Sequence, residues 1–155
     1  MPSILFVCSA NQCRSPMAEV LFRQLLEEKG EADDWRVESA GVWAYDGSRA
    51  TTNAQKVMEE CGLDLSQHLS QPADSTLLKQ FDLTLVMEQR HKTVLQEQNP
   101  QLADRIYLMR EIAGQEGDFA DPVGGSLELY RAAADELEMI IKDSFECITA
   151  VIDKR

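Results

Sequence analysis

"VCSANQCRSPMAE", residues 7 to 19, decides the reading of the whole chain. It joins a short apolar run, "SILFV" (3 to 7), to a segment with helical spacing. The run predicts a buried strand. Ser15 followed by Pro16 predicts a helix start, with Ser as N-cap and Pro at the first helical position. Met17, Val20, Leu21 and Leu25 then form one face that ends near Gly30.

Outward from this stretch the same alternation repeats. "WRVESA" (35 to 40), closed by Gly41, predicts a second strand, and residues 50 to 61 a helix stopped by Gly62. "FDLTLVM" (81 to 87) predicts a third strand, residues 88 to 98 a helix ended by Asn99-Pro100, and "RIYLM" (105 to 109) a fourth strand. Tyr130, Ala133, Leu137, Ile140, Ile141, Ile148 and Val151 recur at steps of a long amphipathic helix. Strands alternating with helices imply an α/β fold: a four-stranded parallel sheet with helices on both faces. Ligands of such sheets bind beyond the carboxyl ends of the strands, where residues 8 to 15 lie. A chain of 155 residues suits one domain over 1–155.

The formal net charge of -12 argues against nucleic acid or an anionic membrane surface as partner. No apolar run approaches the ~18 residues of a membrane span. "SILFV" is too short for a signal peptide and lacks a basic segment before it, so the expected location is cytoplasmic. Cys61 and Cys147, in helical and partly apolar contexts, are expected to pack as small hydrophobes. His91, in a polar helix, is expected to be solvated.

Cys8 follows the first strand, Arg14 comes six residues later and Ser15 opens the helix. The loop between them, Ser9, Ala10, Asn11, Gln12 and Cys13, can curl so that its N–H groups point inward as an anion-binding nest. The helix N-terminus adds partial positive charge, and Arg14 a planar fork of donors for two phosphate oxygens. An acidic chain thus gains one locally positive site. The helix terminus, the guanidinium and the Ser15 hydroxyl all favour a thiolate at Cys8. A thiolate facing phosphorus is a nucleophile for phosphoryl transfer, and Ser15 can hydrogen-bond the sulfur as it leaves. Zinc is not expected, because no His or Cys pair at ligand spacing completes a site with Cys8 and Cys13. No other cofactor is implied.

Residues 7 to 19 resemble the phosphate-binding loop of low-molecular-weight protein tyrosine phosphatases, whose signature reads Cys-x-Gly-Asn-x-Cys-Arg-Ser-Pro. "SAG" (39 to 41), "SQH" (66 to 68), "FDLTLVM" (81 to 87) and "DP" (121 to 122) extend the likeness over nearly the whole chain. The resemblance implies metal-independent hydrolysis of a phosphorylated protein side chain through a phosphocysteine intermediate. It also implies binding of inorganic phosphate and other oxyanions. It selects Asp121, in an Asp-Pro loop, as general acid and then as the base that activates water. Asn11, Ser39 and His68 match a hydrogen-bond network that holds the cradle in shape. Cys13 matches a second thiol that forms a reversible disulfide and protects the nucleophile.

Ala10 stands where the family usually has Gly; in a left-handed conformation it would cost roughly 1–2 kcal/mol. "DPVGGSLELY" (121 to 130) and "SAGVWA" (39 to 44) look more like the bacterial protein-arginine-phosphatase branch. Gln12 matches neither the Thr of that branch nor the larger aliphatic residue of many tyrosine phosphatases. Trp43 and Tyr45 could wall a pocket for a phenyl ring, with Gln12 and Val123 completing it. The family resemblance implies phosphotyrosine as the substrate, with phosphoarginine at the same site as the alternative. A thiol-dependent arsenate reductase needs two further closely spaced cysteines, whereas Cys61 and Cys147 stand far apart. A non-catalytic phosphate-binding module fits poorly with Cys8, Arg14 and Asp121 together. No Gly-Lys-Ser/Thr follows the first strand, which excludes a nucleotide-binding loop.

Overall fold

Ile4, Leu5, Phe6 and Val7 are all fully buried, which is what a strand covered on both faces requires. A computed structural model describes residues 1–155. The strands are β1 (Ser3–Cys8), β2 (Arg36–Gly41), β3 (Leu83–Val86) and β4 (Ile106–Leu108). They form one parallel sheet in the order β2-β1-β3-β4. The register sets Cys8 opposite Gly41, Val7 opposite Val86, and Val86 opposite Leu108. One edge of the sheet therefore collects the carboxyl ends of all the strands.

The helices are α1 (Arg14–Glu28), α2 (Thr52–Glu60), α3 (Ser75–Leu78), α4 (Gln89–Gln98), α5 (Met109–Ile112) and α6 (Leu127–Asp153). Alternate residues of β1 feed two cores. Ile4, Phe6 and Cys8 pack with Met17, Phe22, Leu137 and Ile141 on the α1/α6 side. Leu5 and Val7 pack with Phe81, Leu95 and Ile106 on the other. No helix is long and apolar enough to cross a membrane. Short 3-10 turns at Ala32–Asp34 and Pro100–Arg105, and the one-turn helices α3 and α5, carry no periodicity that sequence reading could use.

Three local expectations are corrected. The first helix begins at Arg14, with Cys13 at its N-cap and no capping side chain, so Ser15 lies inside the helix. Its hydroxyl is needed elsewhere, as shown below. Cys61 and Cys147 are exposed. Cys61 falls just past the end of α2. On α6, Ser144, Phe145 and Ile148 take the inward positions, and the helical period turns Cys147 outward. His91 is fully buried rather than solvated, because the start of α4 folds under the loop after β1.

Candidate active site

The loop after β1 turns its carbonyls away from its own centre. Cys8 O accepts from Val42 N–H and Ser9 O from Trp43 N–H, each at 2.9 Å, while Gln12 O accepts from Thr51 N–H at 2.8 Å. Asn11 O accepts from His68 Nε2 at 2.7 Å, which puts the ring proton of His68 on that nitrogen. No backbone acceptor takes the N–H groups of residues 9 to 13. Each of these carbonyls lies opposite the next residue's N–H across its planar peptide, so the donors of Ser9, Ala10, Gln12 and Cys13 face inward beside the uncapped N-terminus of α1, an arrangement suited to an anion.

Cys8 Sγ sits at the base of that nest, 3.0 Å from Ser15 Oγ. Asn11 orients this hydroxyl. Its Oδ1 accepts from Gln71 N–H at 3.0 Å, which leaves Nδ2 to donate to Ser15 Oγ at 2.9 Å and to Ser39 Oγ at 3.0 Å. Ser15, already an acceptor, can then give its hydrogen to sulfur or to Ala40 O at 3.3 Å. Ser39 donates onward to Glu19 Oε1 at 2.7 Å. Burial raises the Glu19 carboxyl above the usual range, and the opposing Arg23 charge and Ser39 hydrogen bond do not cancel it.

Arg14 is 1% exposed. Its Nη1 donates to Phe119 O at 2.7 Å and pairs with Glu88 Oε2 at 2.6 Å. Partial burial works against a charged Glu88, but hydrogen bonds from Arg90 and Arg14 outweigh it and hold the carboxyl below its ordinary range. Asp121 Oδ2 lies 3.5 Å from Arg14 Nη2, and Asp121 Oδ1 accepts from Val123 N–H at 3.0 Å. A cavity of about 80 Å³ is lined by Cys8, Ala10, Gln12, Cys13, Arg14, Asp121 and Val123. A larger groove of about 350 Å³, between α1 and β2 beside Trp35, contains none of these groups.

A family model described as low molecular weight phosphotyrosine protein phosphatase matches residues 3–153. The chain belongs to that family. It is 38% identical over 140 residues to a protein-arginine-phosphatase of Bacillus subtilis, covering 90% of this chain and 91% of the relative. It superposes with a TM-score of 0.89 on the crystal structure of a low-molecular-weight protein tyrosine phosphatase from T. tengcongensis. That protein is 41% identical, and the match covers 94% of this chain and 99% of the other. A Cys→Ser variant of an arginine phosphatase, solved with its active-site serine phosphorylated, is 37% identical with a TM-score of 0.86 over 91% of each chain.

Other residues singled out from the sequence of this phosphatase fall in and around the cavity. Ala10 needs no left-handed backbone: the single non-glycine residue with positive φ is Asn11, at 58°. His68 is half-buried and holds a backbone carbonyl, not the Asn11 side chain. Trp43 packs edge-on against His91, with ring centroids 5.7 Å apart, and beneath the Arg90 guanidinium at 4.9 Å. Tyr45 is 84% exposed, and neither aromatic lines the cavity. Cys13 does line it; burial and the charges of Asp121 and Cys8 push its thiol up to about 12, against a hydrogen bond from Tyr130.

Glu88 escaped sequence reading, and His91 was read only as a solvated residue. Glu88 stands at the carboxyl edge of the sheet, two residues after β3, and that position was the available signal.

Proposed function

We propose that this chain is a metal-independent phosphoprotein phosphatase in which Cys8 is the nucleophile and phosphoarginine the preferred side chain. The inward N–H groups of Ser9, Ala10, Gln12 and Cys13, with Arg14 beside Cys8 in the same cavity, carry the reading. The Cys8 thiolate attacks phosphorus, and the P–N or P–O bond breaks as Asp121 protonates the leaving atom. Asp121, now a carboxylate, takes a proton from water, which attacks the phosphocysteine and releases inorganic phosphate. Ser15 O–H stabilises the departing sulfur, and the nest together with Arg14 stabilises the equatorial oxygens in both steps. The relative phosphorylated on a serine in place of its cysteine supports a covalent intermediate.

Arginine suits the cavity because its lining is narrow and lacks aromatic flanks for a phenyl ring. Asp121 and the Gln12 amide oxygen can accept from a guanidinium. Phosphotyrosine is the second reading, favoured by the close match to a tyrosine phosphatase structure. Asn11 and Ser39 act by holding Ser15, and His68 by holding the loop. Cys13 would capture a Cys8 sulfenic acid as a disulfide with loss of water; its protonated, buried thiol keeps it out of phosphoryl transfer.

Rates on matched phosphoarginine and phosphotyrosine peptides test the assignment. The expected result is a higher kcat/KM for phosphoarginine, insensitivity to EDTA, and loss of turnover in Cys8→Ser with oxyanion binding retained. Turnover surviving in Cys8→Ser would overturn the mechanism, and a preference for phosphotyrosine would overturn the substrate.

A further inference from the structure

Asp121 belongs to a stretch, residues 113 to 126, that joins α5 to α6 without helix or strand. Arg110, on α5, spans the first half of it. Its Nη1 donates to Gln115 Oε1 at 2.8 Å and its Nε to Asp118 O at 3.0 Å, while its guanidinium lies over the Phe119 ring, 5.4 Å from the centroid. Nη2 pairs with Glu136 on α6. No other donor of the chain reaches the Asp118 carbonyl. Across the same trans peptide, Phe119 N–H points the opposite way and donates to Met87 O at 2.8 Å. One peptide plane is thus held from both edges. The next carbonyl, Phe119 O, accepts from Arg14 Nη1 at 2.7 Å, and Asp121 follows two residues on, facing the cavity that holds Cys8. Residues 114 to 118 are exposed and carry no apolar side chain, so this polar clamp stands in for core packing there.

We propose that Arg110 is a positioning residue which, by clamping the Asp118–Phe119 peptide, sets Asp121 for proton transfer to the leaving atom. This rests on the phosphatase reading above, with Asp121 as its acid. A general acid must come within hydrogen-bond reach of the leaving atom, and a misplacement of ~1 Å can cost about 10²-fold. Loss of the clamp falls on Asp121 more than on Arg14. Arg14 is buried and keeps its Glu88 pair, whereas the Asp121 carboxylate has only Val123 N–H and the 3.5 Å contact to Arg14 Nη2.

Leaving-group dependence separates this role from a merely structural one. In Arg110→Met, kcat/KM for phenyl phosphate, whose phenoxide needs a proton, should fall by about 10-fold or more. For p-nitrophenyl phosphate it should stay within about threefold, and the Ki of inorganic phosphate within about twofold, because the N–H groups and Arg14 are left in place. Arg110→Lys, which keeps one donor for Asp118 O, should recover about a third of the phenyl phosphate rate. In an Asp121→Ala background Arg110→Met should add nothing, since the group it positions is gone. Should Arg110→Met not fold, Glu136→Gln, which loosens the guanidinium from α6, replaces it in the same cycle. Equal slowing of the two substrates, no slowing of either, or effects that multiply with Asp121→Ala would sink the proposal, while Cys8-dependent turnover left the phosphatase reading standing. Turnover independent of Cys8 would overturn both.

Discussion

Asn11 carries the strain of the cradle and repays it with its side chain. At φ 58° an ordinary L-residue is disfavoured, but Asn tolerates this region when its amide bonds locally. Here the amide bonds Gln71, Ser15 and Ser39, linking the loop to β2 and to the hydroxyl that meets Cys8 Sγ. Cys8, Arg14 and Ser15 could be read together because one loop holds them. Glu88 could not be paired with Arg14 by reading, since 27 acidic residues offer themselves and only folding selects one. Asp121 is the residue whose role a single substitution isolates. Asp121→Ala should slow turnover by roughly 10²–10⁴-fold for poor leaving groups and much less for p-nitrophenolate, which needs no proton. Comparing kcat for two leaving groups checks this, and equal slowing would remove Asp121 from the acid role.

At the scale of elements, the end of β2 matters as much as the loop it touches. Gly41 sits against the cradle. A Cβ there would lie 2.6 Å from Ser9 O and 2.9 Å from Asn11 N, both backbone atoms that cannot swing aside. Gly41→Ala should therefore cost about 1–3 kcal/mol of stability and displace the N–H groups that face the anion. Thermal melting and kcat/KM should fall together, the latter by at least about 10-fold. The ends of the four strands and of α1, α2 and α4 were read to within two residues from periodicity and breakers, while the apolar face of α6 was read only from Tyr130, three residues inside its start. The exception with chemical meaning is α1, which starts at Arg14 and leaves Ser15 free for sulfur instead of for its own helix.

Over the whole molecule, a chain of net charge -12 gathers Arg14 and Arg90 beside one nest. The same packing buries His91 beside Glu88, with Arg14 and Arg90 acting on its charge. In the fold this ring takes up its second proton only near pH 4, whereas in the unfolded chain it does so near its ordinary value of 6.5. Between these values unfolding takes up a proton, so the contribution is intact above about pH 6.5 and is lost as pH falls towards 4. The loss is at most about 1.4 kcal/mol per pH unit. Denaturant melts at pH 7 and pH 5 should show wild type losing more stability than His91→Gln; equal losses would assign acid sensitivity to other groups.

The sequence by itself determined the α/β alternation, the loop that joins Cys8 to Arg14, and the place of that loop at the sheet edge. Those features depend on periodicity and on neighbours within one loop, which are written locally. Only tertiary structure decided that Glu88 pairs with Arg14, that His91 and Arg90 both reach Ser9 Oγ, and that Trp43 packs on those two residues instead of lining the cavity. Ser9 and His91 are 82 positions apart, and Arg14 and Asp121 107 apart. Such pairs meet because a parallel sheet brings the ends of all its strands to one edge, and no local pattern encodes which side chains then touch.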